Sequence, residues 1–374
     1  MIYLDSGATT LEKPPEVARA MARAVGTMSS PGRGNYPASR RAEQTAFACR
    51  EAAAGLFQVP TPDQVVFTSN ATHGLNIAIR SLVRPGGRVA ISGYEHNAVT
   101  RVLHSIPGVE MIVADAPLFA PEKILDGFHS ALRRGVDAVV CNHVSNVFGC
   151  VQPVEAIAQL CRRYNTPLIV DASQSAGILP VTLSDWGAAF VAMPGHKGLY
   201  GPQGMGLLLC GGEASPLLFG GTGSASRMQT MPPDLPDRLE AGTHNMPGIA
   251  GLLEGIRFVA RMGTENIADH EIRLTRRAAR GLAALPGVEV FADGKGQSQT
   301  GVLSFRVRGM DSEQIGEELA RRQIAVRSGL HCAPLAHRTA GTLDTGTVRV
   351  SFSAFNTPQE ADRLAEAVGD ILRR

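Results

Sequence analysis

The 374 residues are 44% hydrophobic, enough for two domains, or one large domain with an appendage, around a substantial core. Lys plus Arg (36) nearly balance Asp plus Glu (34), and a net charge of +2 offers no electrostatic footprint for nucleic acid or an anionic membrane, so the expected ligand is small. The opening "MIYLDSGATT" lacks a signal peptide's basic start and apolar run, no stretch approaches the roughly 20 apolar residues of a membrane helix, and the six scattered cysteines form no C-x-x-C pair; a soluble, cytoplasmic protein with free thiols is expected.

Along the chain, "QVVFT" (64–68) reads as a strand, and Leu75, Ala78, Ile79, Leu82 and Val83 as the apolar face of a helix; "RVAIS" (88–92) reads as the next strand. The alternation continues through "DAVVCNHV" (137–144), a helix near 153–164, "PLIVDAS" (167–173), "AAFVAM" (188–193) and "GLLLC" (206–210). Alternating strands and helices imply an α/β fold whose mainly parallel sheet is covered by helices, with the ligand site at the strands' carboxyl ends. After the Gly-, Pro- and Ser-rich loop 220–237 the texture changes: helices at about 247–262 and 268–284, strands "VEVFA" and "GVLSFRV", a helix at 311–322, strands "IAVRS" and "TVRVSF", and a last helix. That last helix carries Ala361, Leu364, Ala365, Val368, Ile371 and Leu372 at core-facing spacing. A smaller α+β domain is expected there.

Three elements carry chemistry. Lys197 sits in "VAMPGHKGLYGPQG" (191–204), among glycines and prolines after an apolar run, where backbone can approach a ligand and a desolvated lysine can form a Schiff base. Asp171 ends "PLIV", so its carboxylate either projects into the ligand crevice, suited to a pyridinium nitrogen, or caps the following segment. In "TSNATHGLN" (68–76) a strand runs into a helix start, a ready site for phosphate.

Together with "YLDSGATT", "EHNAV" (95–99), "HVSNVFG" (143–149), "VDASQSAG" (170–177), "GHKGLYGPQG" (195–204), "EAGTHN" (240–245), "RSGLHCAPLAH" (327–337) and "VRVSFSAFNT" (348–357), these elements are carried in one order over almost the whole chain. In this the sequence resembles the cysteine desulfurases of the class V aminotransferase family, enzymes that use pyridoxal 5'-phosphate on a fold-type I scaffold. The resemblance implies a seven-stranded, mainly parallel large domain over 15–250, a small domain over 251–374, and an N-terminal segment 1–14 packing near the active site. It makes Lys197 the Schiff-base lysine, Asp171 the partner of the pyridinium nitrogen and Gln174 a donor to the ring's phenolic oxygen. His96 would stack on the ring and shuttle a proton. Ala71, Thr72 and His196 would contact the phosphate, and Thr243 would reach the phosphate of a neighbouring subunit, which implies a homodimer.

On the substrate side the resemblance makes Arg349 the clamp for the amino acid carboxylate, assisted by Arg327, with Asn146 and the backbone of Ala8 lining the pocket; read from residues alone, Arg349 could equally pair with an acidic neighbour. Cys332 lies between two strands in a segment too rich in glycine and proline for a buried element, and His331 or Arg327 could raise its thiolate fraction. His331, Cys332 and His337 lack a fourth ligand at zinc spacing, so no metal is expected. The expected reaction takes L-cysteine to L-alanine and leaves a persulfide on Cys332 for a dedicated acceptor protein, the habit of the short-loop subgroup that "RSGLHC" resembles. Selenocysteine lyase, epimerase and direct C–S lyase activities are rivals within the fold, and a non-catalytic sulfur carrier is the rival outside it. Three positions depart from the family pattern: Pro194 replaces a hydroxyl residue, which lowers the expected cofactor affinity, Tyr36 a histidine and His73 an acid, and together they bear on substrate preference and cofactor tightness.

Overall fold

The computed structural model describes residues 1–32, 34–294 and 298–373. A two-residue strand, β1 (Ile2–Tyr3), precedes a seven-stranded sheet built from β2 (Val65–Thr68), β3 (Arg88–Ser92), β4 (Glu110–Ala114), β5 (Ala138–Asn142), β6 (Leu168–Asp171), β7 (Phe190–Pro194) and β8 (Gly206–Cys210). Their spatial order is β2-β8-β7-β6-β5-β3-β4. Strands β3 to β7 pair in parallel, and β8 runs antiparallel to both its neighbours.

The central strands are continuous runs of apolar residues because both faces of the sheet are covered. Side chains alternate between the faces: Val139, Cys141, Leu168 and Val170 join one buried cluster, while Ala138, Val140 and Ile169 join the other. Edge strand β4, which the sequence reading passed over, is only partly buried and starts at an exposed Glu110. Strand order reverses between β3 and β5, and there the carboxyl ends open a crevice.

The second layer comprises β9 (Val288–Phe291), β10 (Val302–Val307), β11 (Ile324–Ala325), β12 (Arg327–Gly329) and β13 (Thr347–Ser351). β12-β13-β10-β9 form an antiparallel sheet, whereas β11 pairs in parallel with β1. The run expected as one strand at 324–328 is therefore divided at Val326, its two halves serving different partners. Helices Thr264–Ala283 and Pro358–Leu372 cover this layer, and Leu4 of the N-terminal segment is buried in its core. Helix Met246–Met262 runs unbroken across position 250/251; its Leu252, Leu253 and Ile256 belong to the large cluster, and the chain turns away at Gly263 with φ 81°. Among the described residues no helix is long and apolar enough to cross a membrane.

Candidate active site

One cavity at the carboxyl ends of β5, β6 and β7 is lined by Ala71, Thr72, His96, Asn146, Asp171, Gln174, His196 and Lys197, all expected from sequence. Asn142, Val144, Ser173 and Pro194, which sequence reasoning did not single out as contacts, line it too. The register that sets Asn142 opposite Asp171 in adjacent parallel strands is the signal that identifies the first of them.

The glycines around Lys197 serve backbone contact. A Cβ on Gly177 (φ 84°) would collide with the carbonyl of Gly198, and one on Gly198 with that of Ala176, so the loops after β6 and β7 meet main chain to main chain. Tyr200 N donates to Lys197 O (2.9 Å) and Gly201 N to Gly195 O (2.7 Å), closing the turn that carries the lysine. The Tyr200 hydroxyl accepts from Ala354 N (2.8 Å), tying this turn to the second layer. Lys197 lines the cavity, and desolvation pulls its pKa down to about 8, against the opposing pull of Asp171. About a tenth of the lysine is therefore free amine at pH 7, far more than for an unperturbed lysine.

Of the two sequence readings of Asp171, the helix cap is not found. Its Oδ1 accepts from Ser173 N (2.9 Å), a turn rather than a helix cap, while the buried carboxylate also faces the cavity. His96 likewise does two things: its Nδ1 accepts from Ala98 N (3.0 Å), capping helix Asn97–His104, which leaves the neutral ring's proton on Nε2. Burial holds His96 and His196 down to about 4, so both are neutral at pH 7. Beneath His96, buried Glu95 accepts from Asn142 N (2.8 Å) and from the Ser92 hydroxyl, and desolvation raises it to about 8.

Helix Ala71–Leu82 is capped by Asn70, whose Oδ1 accepts from His73 N (2.9 Å); among the described residues the N–H groups of Ala71 and Thr72 have no partner. Two free N–H groups at a helix start, facing a lysine and a carboxylate, are the donor set for a phosphorylated aldehyde with a basic ring nitrogen. The buried, unpartnered Asn146 Oδ1 and His196 Nδ1 add polar valences that a bound polar ring can satisfy.

From the N-terminal segment, Gly7 O accepts from Gln174 Nε2 (2.9 Å) and Thr10 N donates to His196 O (3.1 Å); Ala8 follows Gly7, its N donating to Asp5 O (3.0 Å). Segment 1–10 thus packs against the cavity wall. Thr243 lines a different cavity of about 370 Å³, with Ser69 and His73. Its loop is held by Glu240, which takes two bonds from Arg50 (2.9 and 2.7 Å) and one each from Phe67 N (2.6 Å) and His244 Nε2 (2.6 Å).

The Aminotransferase class-V family model matches residues 2–364. The chain belongs to the class-V aminotransferase family. It is 33% identical over 385 residues to a probable cysteine desulfurase of Methanothermobacter thermautotrophicus, covering 99% of this chain and 94% of the relative. A probable cysteine desulfurase of Mycolicibacterium paratuberculosis is 32% identical over 99% of this chain, which spans 55% of that longer protein. The apo structure of the Thermococcus onnurineus cysteine desulfurase superposes with a TM-score of 0.90 at 28% identity, covering 100% of this chain and 94% of the other.

In this class-V aminotransferase Cys332 is exposed and lies at the crevice rim rather than among the cavity-lining residues: its carbonyl accepts from Asn97 N (2.8 Å), and that of His331 from Asn146 Nδ2 (2.8 Å). His331 and Cys332 both adopt left-handed backbone, φ 49° and 57°, held by these two bonds. Two expectations need correction. His331 is buried, with Nε2 3.1 Å from the carbonyl and hydroxyl oxygens of Thr347, and burial drives its pKa down to about 2, so a neutral His331 gives the thiolate no cationic neighbour. The segment around Cys332 also contains a buried element after all, the short helix Pro334–Thr339, started by proline at its first position and burying Ala336 and His337. Arg327 is exposed, directly opposite Arg349 in the β12–β13 pair. Arg349 is buried and paired with an acid, Asp5 (2.7 Å). Of the three departures, Pro194 lines the cavity without a hydroxyl, His73 turns its Nδ1 toward Ser69 (3.3 Å to the hydroxyl), and Tyr36 is half exposed, its hydroxyl accepting from Ser29 (3.1 Å).

Proposed function

We propose that this class-V aminotransferase is a pyridoxal 5'-phosphate-dependent cysteine desulfurase. The observation that carries the reading is the pairing of a desolvated Lys197 beside Asp171 in a cavity walled by a helix start, with the one exposed thiol among the described residues pinned at its rim. Lys197, Asp171, Gln174, His96, Ala71, Thr72, Asn146 and His196 would hold the cofactor, and Thr243 would complete the phosphate site of a second copy in a homodimer. Bound there, the cofactor supplies an electron sink for the pair left at Cα when its proton departs.

The rest belongs to the chain. Arg349 binds the α-carboxylate of L-cysteine, with Arg327 adding charge from outside. Lys197 Nζ, as free amine, removes the α-proton and later returns it. Neutral His96 donates from Nε2, its orientation set by the bond from Ala98 N. The Cys332 thiolate attacks the substrate sulfur; an S–S bond forms as the C–S bond breaks, and the carbon takes up a proton. One L-cysteine and one enzyme thiol thus become L-alanine and an enzyme persulfide, which an acceptor protein then discharges. Exposure of Cys332 supports delivery to a partner outside the crevice.

The test is Cys332→Ala. The variant should keep the cofactor's absorption and its spectral response to L-cysteine, yet make neither alanine at the native rate nor protein-bound sulfane sulfur; undiminished alanine output ends the persulfide assignment. Assays of L-cysteine, L-selenocysteine and cysteine sulfinate side by side rank the substrates, which near-isosteric binding separates by only about 1 to 3 kcal/mol.

A further inference from the structure

Arg349 is buried, and its guanidinium has five N–H donors. Nη1 donates to Asn146 O (3.0 Å), Nη2 donates to Asp5 Oδ1 (2.7 Å), and Nε has no partner. Asp5 is the one carboxylate in ion-pair contact with Arg349 among the described residues, and Arg327 stands opposite Arg349 as a like charge. The acid cannot step aside with its main chain. Leu4 N donates to Ala325 O (2.9 Å), Ser351 N to Leu4 O (2.8 Å) and Ser6 N to Ser351 O (3.3 Å), so the segment carrying Asp5 is stitched between β11 and β13. Gly7 N, two residues on, donates to the Ser351 hydroxyl (2.7 Å).

We infer that Asp5 is a positioning residue for substrate: it fixes the Arg349 guanidinium through Nη2, and its negative charge limits how tightly that guanidinium holds the amino acid carboxylate. This rests on the reading of Arg349 as the carboxylate clamp. When an α-carboxylate arrives, two anions share one guanidinium at short range, and their repulsion weakens the newcomer's hold. The same repulsion acts on L-alanine, whose carboxylate is identical, so product leaves readily. Without Asp5 a buried guanidinium would face Arg327 uncompensated, and any α-carboxylate would become its sole counter-ion.

The experiment is calorimetric titration of the holoenzyme with L-alanine and with ethylamine, which is alanine without its carboxylate. Asp5→Asn keeps an acceptor oxygen in place while removing the charge. It should bind L-alanine about ten-fold more tightly, roughly 1.4 kcal/mol, with ethylamine unaffected. Asp5→Ser, smaller and also uncharged, should tighten L-alanine in the same selective way if the asparagine variant proves unstable. Arg349→Gln checks the underlying reading: it should weaken L-alanine and leave ethylamine alone. If Arg349→Gln changes neither ligand, the clamp reading fails and takes this inference with it. If Arg349→Gln weakens L-alanine but the Asp5 variants bind it no more tightly than the native protein, or shift both ligands equally, the inference about Asp5 alone is overturned.

Discussion

The two side chains proposed to react sit in opposite surroundings. Lys197 stands at the end of a fully buried strand, in a turn closed by main-chain contacts, where desolvation brings its pKa down to about 8. Cys332 stands in solvent on two consecutive left-handed residues, while burial pushes Cys49, Cys150 and Cys161 up to about 12 and raises Cys141 and Cys210 as well. The contrast suits the proposed work. A lysine must lose its proton to act as base and desolvation achieves that, whereas the same desolvation would silence a thiol, because it disfavours whichever form is charged. A sulfur carrier also has to meet its acceptor.

The comparison is broken most completely by Lys197→Ala. Alanine formation should fall by roughly 10^3-fold or more, with loss of the visible absorption of the cofactor-loaded enzyme, since base and attachment point vanish together. Cys332→Ala comes next: a fall of about 100-fold in alanine formation with the cofactor spectrum preserved would separate the thiol's role from the lysine's. The third effect is one of pH. Free amine at Lys197 declines below about 8, so if it is the base, kcat should drop by about ten-fold per unit on the acid side and level off above. His96 and His196, held near 4, contribute no inflection between pH 6 and 9, and a flat profile across that range contradicts a titrating Lys197. Smallest is Cys210→Ala, which should leave persulfide formation intact and cost about 1 kcal/mol in denaturant unfolding, because the buried thiol only packs.

Legibility in the sequence tracks periodicity and local chemistry. Strands β2, β3 and β5 to β8 were readable because burial on both faces writes itself as unbroken apolar runs; β4, half exposed at the edge, has no such mark. Helix Pro37–Leu56 escaped notice because its buried stripe is made of small residues, Ala42, Ala46, Cys49 and Ala53, which contrast little with their neighbours yet let helix Met246–Met262 pack close. Lys197, Asp171 and the helix start at Ala71 were legible because each follows or ends an apolar run, whereas His96, Asn146, Gln174 and His196, set in turns or at a helix cap, were reached only through the family resemblance. Asp5 was not: its role depends on a partner 344 residues away.

What the chain alone determined is the set of chemical groups and their local settings: a lysine among glycines after an apolar run, an aspartate ending a strand, a cysteine in a proline- and glycine-rich loop. Only the tertiary structure decided which of those groups are charged and which are spoken for, placing neutral His331 against Thr347, dividing 324–328 between two sheets and seating Asp5 on Arg349. The physical reason is that a local pattern encodes which way a side chain points, whereas desolvation and ion pairing depend on atoms brought near by folding from anywhere in the chain.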